Sequence, residues 1–377
     1  MIYLDNAATT KPEEDVVSCY AKESAAHFGN ANSPHRLGQE AAKALRKARE
    51  EILSALRLSA THNLIFTSGA TEANNLALKG VAFQYQNRGK KILSNLGEHS
   101  SVKAPLNQLK EAFGFDVKML PISEEGKLLP SVLESELDKQ TILVSVMAAN
   151  NEVGSINDIP ALAKLVHSYP KAFFHVDATQ AIGKIVLPYS EVDLLTFSGH
   201  KFGGLKGTGC LIYRKTIKFL SLASGGSQEE GFRAGTVDVA GAISLALALQ
   251  KALARQKEGF ENAKALQQKL LSGLLKTGEV RINSPKDAMP HIVNFSLLHK
   301  KASVVVEALS ERGIYVSSHA ACDEKLNHGS PVLLAMGAKE EDAKNAIRVS
   351  FSYQSREEDV DGFLAAFRAI LQEVKDR

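Results

Sequence analysis

Residues 194–209 read LLTFSGHKFGGLKGTG. The apolar run that opens this stretch has strand length, and it ends in Ser198-Gly199-His200-Lys201 followed by glycines. That order predicts a buried strand whose carboxyl end hands a single amine, Lys201, to a glycine-rich loop. Outward from it the same pattern recurs. NLIFTSG (63–69) precedes the helical ATEANNLALKGVAF (70–83), and KKILSNLGEHS (90–100) precedes SVKAPLNQLKEAF (101–113). TILVSVMAANNE (141–152) precedes DIPALAKLVHSYP (158–170), and AFFHVDATQ (172–180) leads towards DLLTFSGHK (193–201). This alternation predicts an α/β fold with a large domain whose mostly parallel sheet is covered by helices on both faces. Several runs end in polar or glycine residues, at Thr67-Ser68-Gly69, Glu98-His99, Asn150-Asn151-Glu152, Asp177 and His200-Lys201. Ligands of open parallel sheets bind beyond the carboxyl ends of the strands, so these ends are expected to converge on one site.

From about Val237 to Lys276 the pattern is that of one long helical stretch, polar enough in its second half to bridge two domains. Beyond it the texture changes. HIVNFSLL, GIYVSSH and AIRVSFSY, with helical VVVEALSER and DVDGFLAAFRAILQEVK, predict a smaller α+β domain. The expected division is a large domain over 15–255 and a small one made of 1–14 and 256–377. No internal repeat or low-complexity tract interrupts it.

The 377 residues, 44% hydrophobic and 23% charged, suit an enzyme of about two domains. A net charge of +3 without a basic run makes nucleic acid and anionic lipid poor partners and small molecules better ones. Cys19, Cys210 and Cys322 lie far apart with no CxxC pair, which argues against a disulfide framework or a structural zinc site. No metal site is expected, and a reducing cytoplasm fits best. The N-terminal MIYLDNAATTKPEED has no signal-peptide core, and no run of about 18 apolar residues occurs, so neither secretion nor a membrane span is expected.

Chemistry concentrates at three strand ends. Asp177 and Gln180 close one apolar run and Lys201 closes the next. Together they are what a pyridoxal phosphate site requires: an amine for the Schiff base, a carboxylate for the pyridinium nitrogen and a donor for the ring oxygen. A phosphate would find its place at TSGATEANN, where Gly69 permits close backbone approach and Ala70-Thr71 open a helix with free N–H groups. Singly, each feature is also what a solvated loop or a helix cap presents.

SGATEANN, EHSSV, NNEVGSI, HVDATQ, SGHK, RAGT and SSHAAC followed by VLLAMG stand in the order found in cysteine desulfurases. The chain thus resembles these pyridoxal phosphate enzymes of the class V aminotransferase superfamily, from LDNAATT to IRVSFS. The resemblance implies the fold type I architecture, with Lys201 as the lysine that carries the coenzyme, Asp177 at the pyridine nitrogen, Gln180 at the phenolic oxygen and His99 against the ring face. It further implies phosphate contacts from Ala70, Thr71, Ser198 and His200, and from Thr236 reaching across a homodimer interface into the neighbouring subunit. Asn32, Asn151 and Arg348 match positions associated with the substrate carboxylate, Arg348 foremost because a guanidinium grips a carboxylate with two bonds. Asn151 is expected at the coenzyme as well.

Cys322 is the position that makes such an enzyme a desulfurase. It sits in the polar stretch GIYVSSHAACDEKLNHGSPVLLAMG, as an accessible loop thiol would, whereas Cys210 reads as a strand residue and Cys19 as a helix residue. Many members read Ser-Ser-Gly-Ser-Ala-Cys where this chain has Ser317-Ser318-His319-Ala320-Ala321-Cys322. The flexible glycine is replaced by an imidazole, and Asp323-Glu324 follow. Carboxylates beside a thiol oppose its ionisation and a protonated His319 favours it. The implied reaction converts L-cysteine to L-alanine. Lys201, displaced from the coenzyme, removes the α-proton, and the Cys322 thiolate takes the sulfur as a persulfide for an acceptor protein in iron–sulfur cluster assembly or thiolation. Selenocysteine lyase, or another class V lyase or aminotransferase, is the rival enzyme reading, and a scaffold with an idle coenzyme site is a rival of another class.

Overall fold

A computed structural model of the chain describes residues 1–318 and 329–376. Its centre is a seven-stranded sheet. In chain order the strands are β2 (His62–Thr67), β3 (Lys91–Asn95), β4 (Asp116–Leu120), β5 (Thr141–Met147), β6 (Phe173–Asp177), β7 (Leu194–Ser198) and β8 (Gly209–Arg214). Across the sheet they run β2-β8-β7-β6-β5-β3-β4. β4, β3, β5, β6 and β7 are mutually parallel, and β8 runs antiparallel to both β2 and β7. Mostly parallel is therefore the right description, with β8 as the one reversed strand of this sheet. All seven residues of β5 are buried, as its unbroken apolar run requires of a central strand covered on both faces.

The glycines of the opening stretch have a packing reason. β8 begins at Gly209, where an added Cβ would stand 2.6 Å from the Cα of Gly69, and one at Gly204 would stand 2.8 Å from the Gly199 carbonyl oxygen. Two backbones thus approach closely at the turn before helix α3 (Ala70–Tyr85). Helices α1 (Glu14–Ala26) and α2 (Arg36–Ala55) pack with helix α7 (Val239–Ala254) on one side of the molecule, while α3 packs against helix α4 (Ser100–Phe113). The shorter α5 (Pro130–Glu134) and α6 (Ile159–His167) lie between strands in the chain.

The long helical stretch expected over 237–276 is two helices. α7 ends at Ala254 and α8 (Gln256–Leu275) begins after Arg255, whose φ of −96° and ψ of 0° leave the helical well. Arg255 is held there by a two-bond pairing with Glu13 at 2.9 and 3.1 Å and by the Tyr353 ring, 4.5 Å from the guanidinium carbon. Periodicity continues across such a joint, so the hydrophobic pattern alone does not reveal it.

The remaining strands form a four-stranded antiparallel sheet, β12-β13-β10-β9, from β9 (Val280–Ile282), β10 (Ile292–Leu297), β12 (Ser317–Ser318) and β13 (Ala346–Ser350). Helices α8, α9 (Ala302–Glu311) and α12 (Glu357–Glu373) cover it around a separate apolar cluster that includes Leu266, Phe295, Val349, Phe363 and Phe367. Two short helices, α10 (Pro331–Ala335) and α11 (Glu340–Lys344), complete this half. The chain's start joins both halves. β1 (Ile2–Tyr3) pairs in parallel with β11 (Ile314–Tyr315), after which Thr10 N–H donates to the His200 carbonyl at 2.8 Å. Among the described residues no helix is long and apolar enough to cross a membrane.

Candidate active site

The carboxyl ends of β6 and β7 and the first turn of α3 meet as the strand order requires. Asp177 is the last residue of β6 and is buried. Its Oδ2 accepts from Asn74 Nδ2 on α3 at 2.9 Å, and its Oδ1 accepts from the Thr179 N–H at 2.9 Å. Behind it runs a fully buried chain of polar groups. Asn74 Nδ2 also donates to Ser101 Oγ at 2.9 Å, and Asn74 Oδ1 accepts from Thr196 Oγ1 at 2.5 Å. With its proton committed to Asn74, Thr196 must accept from His175 Nε2 at 3.1 Å, which leaves His175 Nδ1 to accept from Ser145 Oγ at 2.8 Å. Burial draws His175 down to about 4 against the pull of Asp177, so the imidazole is neutral.

Lys201 ends the turn after β7. Its Nζ donates to the carbonyls of Ala7 and Ala8 at 2.7 and 2.9 Å, and Gln180 Nε2 donates to the same Ala7 carbonyl at 2.8 Å. The N-terminal segment thus brings the two together. Burial, helped by Arg348 and opposed by Asp177 and Asp5, lowers Lys201 to about 8. His200 Nδ1 meets Thr9 Oγ1 at 3.1 Å, and Ser198 Oγ accepts from the Ala70 N–H at 2.7 Å. Ala70 and Thr71 are the first two residues of α3, whose sixteen residues direct a positive dipole end at this corner. Glu72 accepts from the Ser68 N–H at 2.7 Å and from Arg233 Nε at 2.8 Å, tying the segment 233–236 to the same corner. Thr236 itself is exposed.

His99 caps α4, its Nδ1 accepting from the Ser101 N–H at 3.1 Å, and burial lowers its pKa, leaving a neutral ring. Ser101 connects it through Asn74 to Asp177. A cavity of about 640 Å³ opens beside it, lined by Glu98, His99, Lys103, Asn151, Glu152 and Arg348. Arg348, on β13, donates to Asp5 Oδ1 at 2.8 Å and to the Asn151 carbonyl at 2.9 Å, and its buried Nε has no partner among the described residues. Asn32 is not among these residues: it is exposed in the turn between α1 and α2, where its N–H donates to Asn30 Oδ1 at 2.9 Å. Cys210 is buried in β8 and Cys19 lies on α1. Cys322, with His319, Asp323 and Glu324, lies outside the described residues.

Sequence reasoning missed Asn74 and Thr196, and it named Glu98 only as one of the strand ends. The first two were visible only as polar residues inside apolar runs, and their pairing depends on α3 crossing β6 and β7. Glu98 Oε1 accepts from Asn95 Nδ2 at 2.6 Å and from the Met147 N–H at 2.7 Å, while Oε2 is buried without a partner among the described residues. Burial raises this carboxyl to about 8.

The aminotransferase class-V family model matches residues 2–363. A NifS/IcsS protein homolog of Lactobacillus delbrueckii subsp. bulgaricus is 37% identical over 99% of this chain and 97% of its own. Cysteine desulfurase IscS of Dictyoglomus turgidum is 36% identical over 99% of this chain and 95% of its own. Among solved structures, a NifS-like protein superposes with a TM-score of 0.92 at 36% identity, covering 99% of this chain and all of that one.

Proposed function

The chain belongs to the class-V aminotransferase family, and from that premise we propose that it acts as a cysteine desulfurase through Lys201, Asp177, Gln180, His99, Arg348 and Cys322. Pyridoxal phosphate is the cofactor of this family, and the residues present fit it. Lys201 is a partly buried amine drawn down to about 8, and each oxygen of Asp177 accepts one bond from the described residues and keeps a lone pair free. The Gln180 NH2 and the first turn of α3 supply a donor for the ring oxygen and a seat for the phosphate. When bound, the coenzyme supplies an electron sink for charge released at the substrate α-carbon.

The rest is the work of side chains. Arg348 grips the carboxylate of L-cysteine with Asn151 beside it. Lys201, whose lowering to about 8 gives it a sizeable neutral fraction at physiological pH, removes the α-proton. His99 would hold the coenzyme ring from its face. Cys322, as thiolate, attacks the substrate sulfur: an S–S bond forms, the C–S bond breaks with its electron pair left on the β-carbon, a proton delivered there makes the methyl group, and return of a proton from Lys201 to the α-carbon completes L-alanine. The persulfide on Cys322 then goes to an acceptor protein in iron–sulfur cluster assembly or thiolation. Thr236, exposed within its own chain, suits a phosphate contact across a homodimer. The apolar cluster that joins Leu4 to residues of 266–370 supports a division into 15–255 and 1–14 with 256–377, and a cytoplasmic setting suits the three thiols.

The observation that carries this reading is the meeting of Lys201 and Gln180 on one carbonyl, next to a buried Asp177. Protein reconstituted with pyridoxal phosphate and reduced with borohydride is expected to carry the coenzyme mass on the Lys201 peptide. With L-cysteine it yields alanine, and Cys322→Ala no longer gives a persulfide. Labelling elsewhere, or pyruvate in place of alanine, refutes the assignment.

A further inference from the structure

Behind Gln180 lies a second amine. The turn after β6 reads Ala181-Ile182-Gly183-Lys184, and Gly183 adopts a φ of +72° with its α-carbon pressed onto helix α7: an added Cβ would stand 2.7 Å from the Ala252 Cβ. This turns Lys184 inward, where it is 7% exposed. Its one side-chain hydrogen bond among the described residues runs from Nζ to Gln180 Oε1 at 3.3 Å. A buried cation with no carboxylate beside it is costly, and a fold keeps one where it performs a task.

That bond, with the one at Ala7, determines the orientation of the Gln180 amide. A charged amine donates and cannot accept, and the Ala7 carbonyl accepts and cannot donate. The reverse orientation would set carbonyl against carbonyl and NH2 against ammonium. The amide oxygen therefore faces Lys184, and the NH2 faces the N-terminal segment and Lys201. The remaining groups around Lys184 leave its charge uncompensated. A void of about 40 Å³, room for about one water, is shared by Lys184, Lys201, Glu13, Arg255, His291 and Tyr353. Glu13 is taken up by Arg255 and Lys251, and burial holds His291 neutral by lowering it to about 3. Burial together with Lys201 and Arg348 draws Lys184 down to about 7, so both neighbouring cations oppose its charge, its ammonium and neutral forms coexist near neutral pH, and it acts on Gln180 and Lys201 as a cation in the ammonium form.

We propose that Lys184 is a positioning residue for the coenzyme, holding the Gln180 NH2 towards the ring oxygen and opposing, by its charge, protonation at the Lys201 nitrogen. The proposal rests on the pyridoxal phosphate reading, and its test separates the two. In Lys184→Met the amide is free to turn and the opposing charge is gone. Both changes favour the protonated form of the bound coenzyme. The pH midpoint of its visible absorbance is therefore expected to rise by about one unit, and its dissociation constant, measured by reconstituting apo-protein, by about tenfold. Lys184→Arg, which keeps a donor-only cation, is expected to restore both towards the parent values. Should Lys184→Met not accumulate, Lys184→Gln carries the same comparison, because an amide can accept as well as donate. A midpoint and an affinity equal to the parent's in the folded neutral variant overturn the role of Lys184. Absence of any coenzyme band on Lys201 in the parent overturns the underlying reading instead.

Discussion

Asn74 shows how much the site depends on a residue that touches neither substrate nor coenzyme. Its amide donates to Asp177 and Ser101 and accepts from Thr196, all three bonds fully buried. Asn74→Leu takes one bond from each of those partners where water cannot compensate, while each keeps another. The expected outcome is a fall in unfolding free energy of about 2–4 kcal/mol, together with weaker coenzyme binding, because the Asp177 carboxylate loses one of its two tethers. Urea unfolding and reconstitution titrations measure the two effects, and unchanged coenzyme affinity would contradict the positioning role. At this scale the sequence was readable for groups that announce their chemistry: Lys201, Asp177 and Gln180 close apolar runs, where a polar group has few other reasons to stand. Asn74 and Thr196 were not readable. Amides and hydroxyls inside apolar runs have many uses, and only the crossing of α3 over β6 and β7 selects this one.

Between residue and molecule, the elements are set by backbone contacts as much as by apolar pattern. The Gly69–Gly209 approach seats the start of α3 beside β7, so that Ala70 N–H reaches Ser198 Oγ at 2.7 Å. Gly209→Val places its first side-chain carbon 2.6 Å from a backbone atom that cannot rotate away. The α3 turn must shift, and the phosphate seat with it. Affinity for pyridoxal phosphate is expected to drop by at least about tenfold, since a displacement of one ångström suffices to misplace charge-assisted bonds. Affinity for pyridoxal lacking the phosphate is expected to change much less. Equal losses for both ligands would show that the variant damages the fold rather than the seat. The strand and helix alternation was legible from the sequence because period and length distinguish the elements; the break at Arg255 was not, since it is held by Glu13, distant in sequence.

For the molecule as a whole, buried neutral histidines govern its response to acid. His175 and His291 are lowered by burial to about 4 and about 3, whereas both approach 6.5 in the unfolded chain. The unfolded state therefore binds more protons between those limits. Stability is fully present above about pH 6.5 and is lost as pH falls towards 4, by up to about 1.4 kcal/mol per pH unit for each histidine. Denaturant midpoints of the holoenzyme at pH 7.5, 6 and 5 should decline accordingly, with a shallower decline in His175→Gln. A flat profile would mean that these imidazoles are solvated or already charged in the native state.

What the sequence determined by itself was the alternation of elements, the strand ends on which chemistry could stand, and the order of motifs that relates the chain to a family, because these depend on local period and on residue type. What only the tertiary structure decided was which groups face one another: the N-terminal segment closing over Lys201 and Gln180, Asp5 beside Arg348, Asn74 behind Asp177 and Lys184 behind Gln180. Those pairings join residues far apart in the chain, and a hydrogen bond a few ångströms long is set by how elements cross, which no local pattern encodes.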